Sequence, residues 1–275
     1  MSLIQTLFKA RKEKLARLGR KPKKQLRFFQ PRTKTLENQY ARTIDHLTNK
    51  LKPLVRKMLT TYATRVQHQD SVRLDDELDD LSEALSTLRN ETNAIYTDAN
   101  LEADSRKAAD IVREKNKKVF SRFFVLNTGK EFFLDETIPN KMVKGFVKQN
   151  ASLIKTIPER FLRDTQNIIF QNYRDGVSPK ATTEQIMKKF KVMKSNAKRI
   201  ARDQISKLNG QIAEERQKNQ AGLEEYIWRT VRDSRVRKEH KAREGKTYRW
   251  DSPPKGGHPG TEINCRCYAE PKLDL

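Results

Sequence analysis

The sequence predicts a mainly α protein: an elongated helical body that carries a small α+β module at its C-terminal end. Three observations predict it. Apolar residues recur at steps of three and four over most of the chain before Gly222. The aromatic and β-branched texture of strands starts only after Gly222. Hydrophobic residues make up 35% of the 275 positions, which is low for a thick globular core and suits a thin helical one. The rare residues gather at one end: both cysteines, both tryptophans and two of the four histidines lie in the last fifty positions.

Four segments follow from this texture: a basic N-terminal arm at 1–35, a helical hairpin region at 36–140, a helical domain at 141–222 and the β-containing module at 223–275. The formal net charge is +23. Such an excess repels itself and points to a polyanionic partner, most often nucleic acid. An acidic partner subunit is the other way to neutralise it. No apolar run is long enough for a transmembrane helix, so no membrane role is expected. The first residues, Met1 to Phe8, lack the apolar length and cleavage pattern of a signal peptide. Two cysteines one residue apart make a poor structural disulfide and fit a reducing compartment.

Positions 9–34 hold twelve Lys or Arg against a single acid, Glu13. This stretch reads as a mobile arm whose Lys9, Arg11, Lys12, Lys14, Arg17, Arg20, Lys21, Lys23, Lys24 and Arg27 would contact nucleic acid without sequence preference. Phe28 and Phe29, between Pro22 and Pro31, would anchor it on another subunit. Leu36 to Val66 then reads as one amphipathic helix that Pro53 should kink near Asn49–Lys50. His46 and His68 are expected to face solvent on that surface. The acidic run from Asp70 to Glu83 keeps a leucine seam and lacks the glycine-bearing loop of a Ca²⁺ site. The seam continues from Ile95 to Val119, and the two stripes suit an antiparallel hairpin. Five phenylalanines, at 120, 123, 124, 132 and 133, flank an expected loop at Asn127–Lys130, which lacks a phosphate-loop pattern.

A boundary is expected at Asp135–Asn140. Beyond it, Pro158 reads as the first turn of a restarted helix and Gly176 as a stop. Ser178 opens a short helix through Phe190, Ser195 caps the next, and Gly222 ends it. Three strands are expected in the module, at Tyr226–Val231, Thr247–Trp250 and Asn264–Ala269.

A module this small has little core of its own, and metals often serve where burial falls short. His240, His258, Cys265 and Cys267 are the ligand-type residues available, and two thiolates with two imidazoles suit tetrahedral Zn²⁺. On a strand, positions 265 and 267 share a face, so both sulfurs would reach one ion. The plainer reading makes the cysteines small buried residues and the histidines partners of loop carbonyls. Asp233 is expected to cap the turn after the first strand, with Arg235 pairing to Asp233 or Asp251. An enzymatic reading would make Asp233 and His240 an acid–base pair, but no nucleophile or second carboxylate stands at a fixed spacing.

The ordered set Asp233-x-Arg235-x-Arg237-x-x-His240, then Pro253-Pro254, Gly257-His258-Pro259-Gly260 and Asn264-Cys265-Arg266-Cys267 resembles the signature of the phage Mu F-like minor head protein family. Ser195 to Gln204 resembles the preceding helix of that family, with Asp203-Gln204 where Thr-Glu is common. The resemblance covers roughly residues 145–272. It implies a minor capsid (head morphogenesis) protein of a tailed double-stranded DNA bacteriophage, inside the capsid near the portal, in few copies per head. It further implies the portal and major capsid proteins as partners, viral DNA as a contact, and work in head assembly, packaging or ejection after assembly in the host cytoplasm. Asp233, Arg235, Arg237, Gly260 and Asn264 would then be structural, and no catalysis is expected. The alternatives are a metal-dependent nuclease or toxin-like enzyme using the same block, and a non-viral basic nucleic-acid-binding protein.

Overall fold

The first helix begins where a local cap can start it. Ser2 Oγ accepts the amide of Gln5 at 3.2 Å, and the Gln5 side chain accepts the amide of Ser2 at 2.9 Å, a reciprocal cap that satisfies two free donors. The computed structural model describes residues 1–21, 28, 33–67 and 74–273. Its elements are α1 (Leu3–Arg17), α2 (Thr33–Gln67), α3 (Leu74–Ile95), α4 (Asp98–Thr128), α5 (Thr137–Arg174), α6 (Pro179–Glu214), a π-helical turn (Glu215–Gln220), β1 (Glu225–Thr230), α7 (Lys238–Lys241), β2 (Thr247–Arg249) and β3 (Cys267–Pro271). The protein is therefore mainly α with a small α+β module at its C-terminal end.

Two compact units result, and neither is one continuous stretch. The first takes Met1–Asn38, Arg106–Phe146 and Arg202–Leu275; the second takes Gln39–Ser105 and Val147–Ala201. The four segments expected from the sequence run consecutively, whereas these units draw on separated parts of the chain.

The second unit is all helical. Its interior is built from the seams of α2, α3, α5 and α6, with Ile44, Leu51, Leu88, Ile154 and Ile186 almost fully buried. Phe161 and Phe190 meet edge to face with centroids 5.6 Å apart. A polar knot sits within it: Tyr40 Oη and Ser105 Oγ are 2.9 Å apart, and the Asn150 amide donates to both. Burial pushes the Tyr40 phenol up to about 12, so it stays a neutral hydrogen-bonding group.

Two prolines lie inside helices. Pro53 does not interrupt α2, where Leu51 and Val55 on either side are buried. Pro158 does not restart a helix as expected but sits within a continuous α5. An interior proline costs about 3 kcal/mol, and burial of Ile154, Phe161 and Leu162 around it offsets that cost. Ser195 likewise caps nothing: α6 runs unbroken past it, because neither glycine nor proline separates Phe190 from Ala197 and the seam continues through Met193 and Ala197. Gly176, with φ +66°, ends α5 as expected.

In the first unit, residues 3–17 and Phe28 depart from the reading of residues 1–35 as a mobile arm. Residues 3–17 are helical, and Ile4 and Phe8 are buried with Phe28, Phe120, Phe124, Leu223 and Leu273 in one apolar cluster. Phe28 sits 4.8 Å from the Phe120 ring and 5.3 Å from Phe123. Its amide donates to the buried Glu270 carboxylate of β3 at 2.9 Å. Phe28 is thus an intramolecular anchor rather than a subunit contact; Phe29, Lys23, Lys24, Arg27, His68 and Asp70 lie outside the described residues. Of the five phenylalanines near position 127, four join this cluster or pack on it, and Phe133 is 86% exposed. The expected loop at Asn127 is the last turn of α4, closed by Gly129 at φ +76°. Arg11 of α1 donates to the carbonyls of Val125, which also accepts the Gly129 amide, and Leu126 at that end, at 3.2 and 2.8 Å.

After the π-helical turn and Gly222, the chain enters an antiparallel sheet of order β2-β1-β3. Its register sets Tyr226 opposite Tyr248 and Thr230 opposite Cys267. Tyr226, Trp228 and Thr230 alternate inward, the period-2 pattern of a strand with one covered face.

Candidate metal centre

The inward face of β1 fixes the floor of the site. Trp228 is 1% exposed and meets the His240 ring at 5.4 Å, edge to face. His240 is carried by the single turn of α7 and is itself buried. Cys267 opens β3, hydrogen-bonded in register beside Thr230. Cys265 is not yet on the strand. It lies in the turn before it, where its amide donates to the Glu262 carbonyl at 3.0 Å and Asn264 takes φ +55°. The shared-face argument for positions 265 and 267 therefore fails in detail, yet the turn still brings both sulfurs to one place.

His240 Nδ1 lies 3.6 Å from Cys265 Sγ and 3.4 Å from Cys267 Sγ. The three donor atoms all lie within 4.8 Å of one another, on three buried residues. On the far side of the ring, Nε2 lies 3.1 Å from Glu262 Oε2, which also accepts from Arg237 Nη1 at 2.6 Å. Arg237 binds the Ile263 carbonyl as well, so it holds the turn that carries Cys265. The two thiols differ: a hydrogen bond from Cys267, with the Gly260 amide, pulls Cys265 down to about 6, while donating that bond and burial push Cys267 up.

His258 is not part of this group. Its Nδ1 is 3.1 Å from the Tyr226 hydroxyl and its ring stacks 4.9 Å from Trp250. Burial lowers its pKa, which favours the neutral ring. The structure thus brings together three of the four ligand-type residues singled out in the sequence and places His258 in a neighbouring aromatic cluster.

The other signature residues hold loops. Asp233 Oδ1 accepts the Arg235 amide at 3.1 Å, closing the turn after β1, and its other oxygen is paired to Arg266. The Arg235 guanidinium reaches Asp233 at 3.9 Å, whereas Asp251 is taken by Arg249. Asp233 and His240 therefore face different partners, Arg266 and Glu262. Gly260 has φ +94°, and its Cα packs close to Gly210 of α6. A Cβ on Gly210 would meet the Pro259 carbonyl at 3.3 Å, so this pair of glycines lets loop and helix approach.

Two further residues were given no role in the reading of the sequence. Asp203 of α6 accepts the Asn264 amide at 2.6 Å and so ties the cysteine turn to the helical body; its place in the helix that precedes the signature was the available signal. Glu244 accepts the Thr230 amide at 2.6 Å and pairs with Arg232 at 2.9 Å, bracing the end of β1.

Desolvation alone would raise Glu244, but the Thr230 amide and Arg232 outweigh it and its pKa is lowered; Asp233, desolvated but paired to Arg266, is lowered too. A carboxyl group lowered on folding stabilises the fold above its unfolded value, and that contribution disappears as pH falls through the folded value. The module is expected to loosen below about pH 4. Tryptophan fluorescence against pH checks this, and Glu244→Gln should flatten the acid limb.

The basic residues of α1 divide. Arg11 caps α4 and Lys12 lies 5.4 Å over the Phe8 ring, so both are engaged within the molecule. Lys9, Lys14, Arg17, Arg20 and Lys21 are exposed.

Comparison with known proteins bears on the same residues. Residues 163–270 match the family described as Phage Mu protein F like protein. The match covers 108 of the 275 residues and supports the resemblance of this part of the chain to the Mu F-like family. The matched stretch includes the ligand-type cluster, the Asp233 turn and Asp203. An uncharacterized protein of Haemophilus influenzae strain Rd is 35% identical over 133 residues, which is 48% of this chain. The chain spans only 30% of the length of that relative. No solved structure matches. Among the described residues, no helix is long and apolar enough to cross a membrane.

Proposed function

We propose that this chain is a minor head protein of a tailed double-stranded DNA phage and acts in head morphogenesis. The observation that carries this reading is the Mu F-like match over residues 163–270, in which the signature residues build a braced loop structure. In this reading the protein lies inside the capsid near the portal, in few copies, after assembly in the host cytoplasm. It docks on the portal or major capsid protein and works by contact rather than by turnover, because Asp233 and His240 are engaged with Arg266 and Glu262.

The charge of +23 supports non-specific contact with packaged DNA. Lys9, Lys14, Arg17, Arg20 and Lys21 are the exposed cations of α1 and its exit that offer it. Mass spectrometry of purified virions tests the placement: the polypeptide should be present with the head, and its complete absence would overturn the reading. Binding to duplex DNA should weaken with salt. Reversing those five charges should make the log–log slope shallower by about 0.9 for each phosphate no longer neutralised. An unchanged slope would remove α1 from the DNA-binding surface.

A further inference from the structure

The geometry points to a zinc site held by His240 Nδ1, Cys265 Sγ and Cys267 Sγ, with a water molecule or other small ligand in the fourth position. Neither the family match nor the similarity to the relative assigns a metal, and the inference stands apart from the role in the head.

Distance supplies the first argument. Zinc bonds sulfur at about 2.3 Å and imidazole nitrogen at about 2.0 Å, so a tetrahedral site sets N and S about 3.5 Å apart. The two N···S separations here are 3.6 and 3.4 Å. A simple hydrogen-bond account fits less well. Nδ1 carries at most one proton, which can be directed at one sulfur, yet the nitrogen stands nearly equidistant from two. A cation between the three atoms uses all of them at once.

The surroundings supply the second. Ligand histidines usually pass their other nitrogen to a carboxylate, which fixes the ring and the tautomer. Here Glu262 sits at ion-pair distance, 3.1 Å from Nε2 though not aligned as a hydrogen bond, and is itself fixed by Arg237. Thiolate ligands are commonly steadied by N–H donors. The Gly260 amide lies 3.4 Å from Cys265 Sγ, and the Trp228 indole, which has no nitrogen or oxygen partner among the described residues, faces Cys267. Both cysteines are free and buried, and two sulfurs with one imidazole select a borderline-soft cation over Mg²⁺ or Ca²⁺.

The need for the ion is the third. The sheet has three short strands and its core cluster holds Tyr226, Trp228, Trp250, Cys265, Cys267 and Ala269. A cross-link from α7 to β3 and the preceding turn joins the parts that this small core leaves to loops.

The test uses the full chain, purified without chelator or histidine tag, with metal measured by mass spectrometry. About one zinc per chain is expected. His258→Gln should keep it, whereas Cys265→Ser with Cys267→Ser, and His240→Gln, should retain less than a tenth of an equivalent. Because those variants could unfold, two measurements on the unmodified chain accompany them. Cobalt(II) in place of zinc should give the visible bands and sulfur charge-transfer absorption of a tetrahedral thiolate site. Both thiols should resist a disulfide reagent until a chelator is added. Less than a tenth of an equivalent in the unmodified chain after incubation with zinc would overturn the proposal. So would full metal content in the double cysteine variant, or thiols equally reactive with and without chelator.

Discussion

Glu136→Ala is expected to destabilise the first unit by about 3–5 kcal/mol, because it strands a buried cation. Arg216 has a side chain with 0% exposure, and its carboxylate partner is Glu136, 2.9 Å from Nη1. Its Nε donates to Asn116 at 2.9 Å, and Asn116 in turn donates to Asn209 at 3.0 Å. These amides satisfy hydrogen bonds but do not neutralise charge. Arg113, the second guanidinium on Glu136, still keeps Asp110 and Glu114 after the substitution. The loss is therefore concentrated on Arg216. Arg216→Met should cost less, since it removes the buried charge itself and leaves Glu136 with Arg113 and Lys117. Adding Arg216→Met to Glu136→Ala should recover part of the stability, a coupling that single variants cannot reveal. Both tryptophans lie in this unit, so fluorescence-detected urea unfolding reports on it. A Glu136→Ala midpoint equal to that of the parent would refute the argument.

Trp228→Ala is expected to cost about 3–5 kcal/mol, at the level of the largest core truncations. Trp228 stands on β1, the central strand, and is among the largest fully buried side chains of the chain. Its ring meets Tyr248 at 5.8 Å and His240 at 5.4 Å, and the Arg243 guanidinium lies 4.9 Å from its centroid. Removing it takes the packing from both neighbouring strands and from the turn that carries His240. Hydrogen exchange should rise in residues 225–230 and 267–271 while the second unit stays protected. Uniform protection throughout would show that the strand does not depend on this side chain.

Much of this fold was legible in the sequence because the helices bury narrow stripes, and stripes print a period. The seam of α2 and the stops at Gly176 and Gly222 were readable for that reason. What the period does not carry is helix continuity: Pro158 and Ser195 look like breaks locally, and tertiary burial around them overrides the local signal. Lysines and arginines hid the role of α1. Beside twelve cations in positions 9–34, the apolar pair Ile4 and Phe8 and the single Phe28 were too sparse to announce a core. Arg216 was invisible for a related reason, since the stretch Glu215–Gln220 has no apolar residue and its burial arises from a π-helical turn. In the module, Asp233, Arg237, Gly260 and Cys267 were legible as a set because turns and rare side chains are tied to position. That His258 lies apart from the cysteines was not legible, because ring type and proximity in sequence say nothing about which neighbour, here Tyr226, faces the nitrogen.

The route of the backbone through the first unit bears on whether its C-terminal part can fold alone. The stretch shared with the Mu F-like family starts inside α5 and ends at Glu270, yet the apolar cluster beneath the sheet is completed by Ile4, Phe8, Phe28 and the phenylalanines of α4. Excised on its own, that stretch would expose a wide apolar surface, and Glu270 would keep Arg229 but lose the Phe28 amide. The stretch is therefore not a self-sufficient folding unit. Any chain that carries it needs aromatic or aliphatic side chains from elsewhere to close the same cluster.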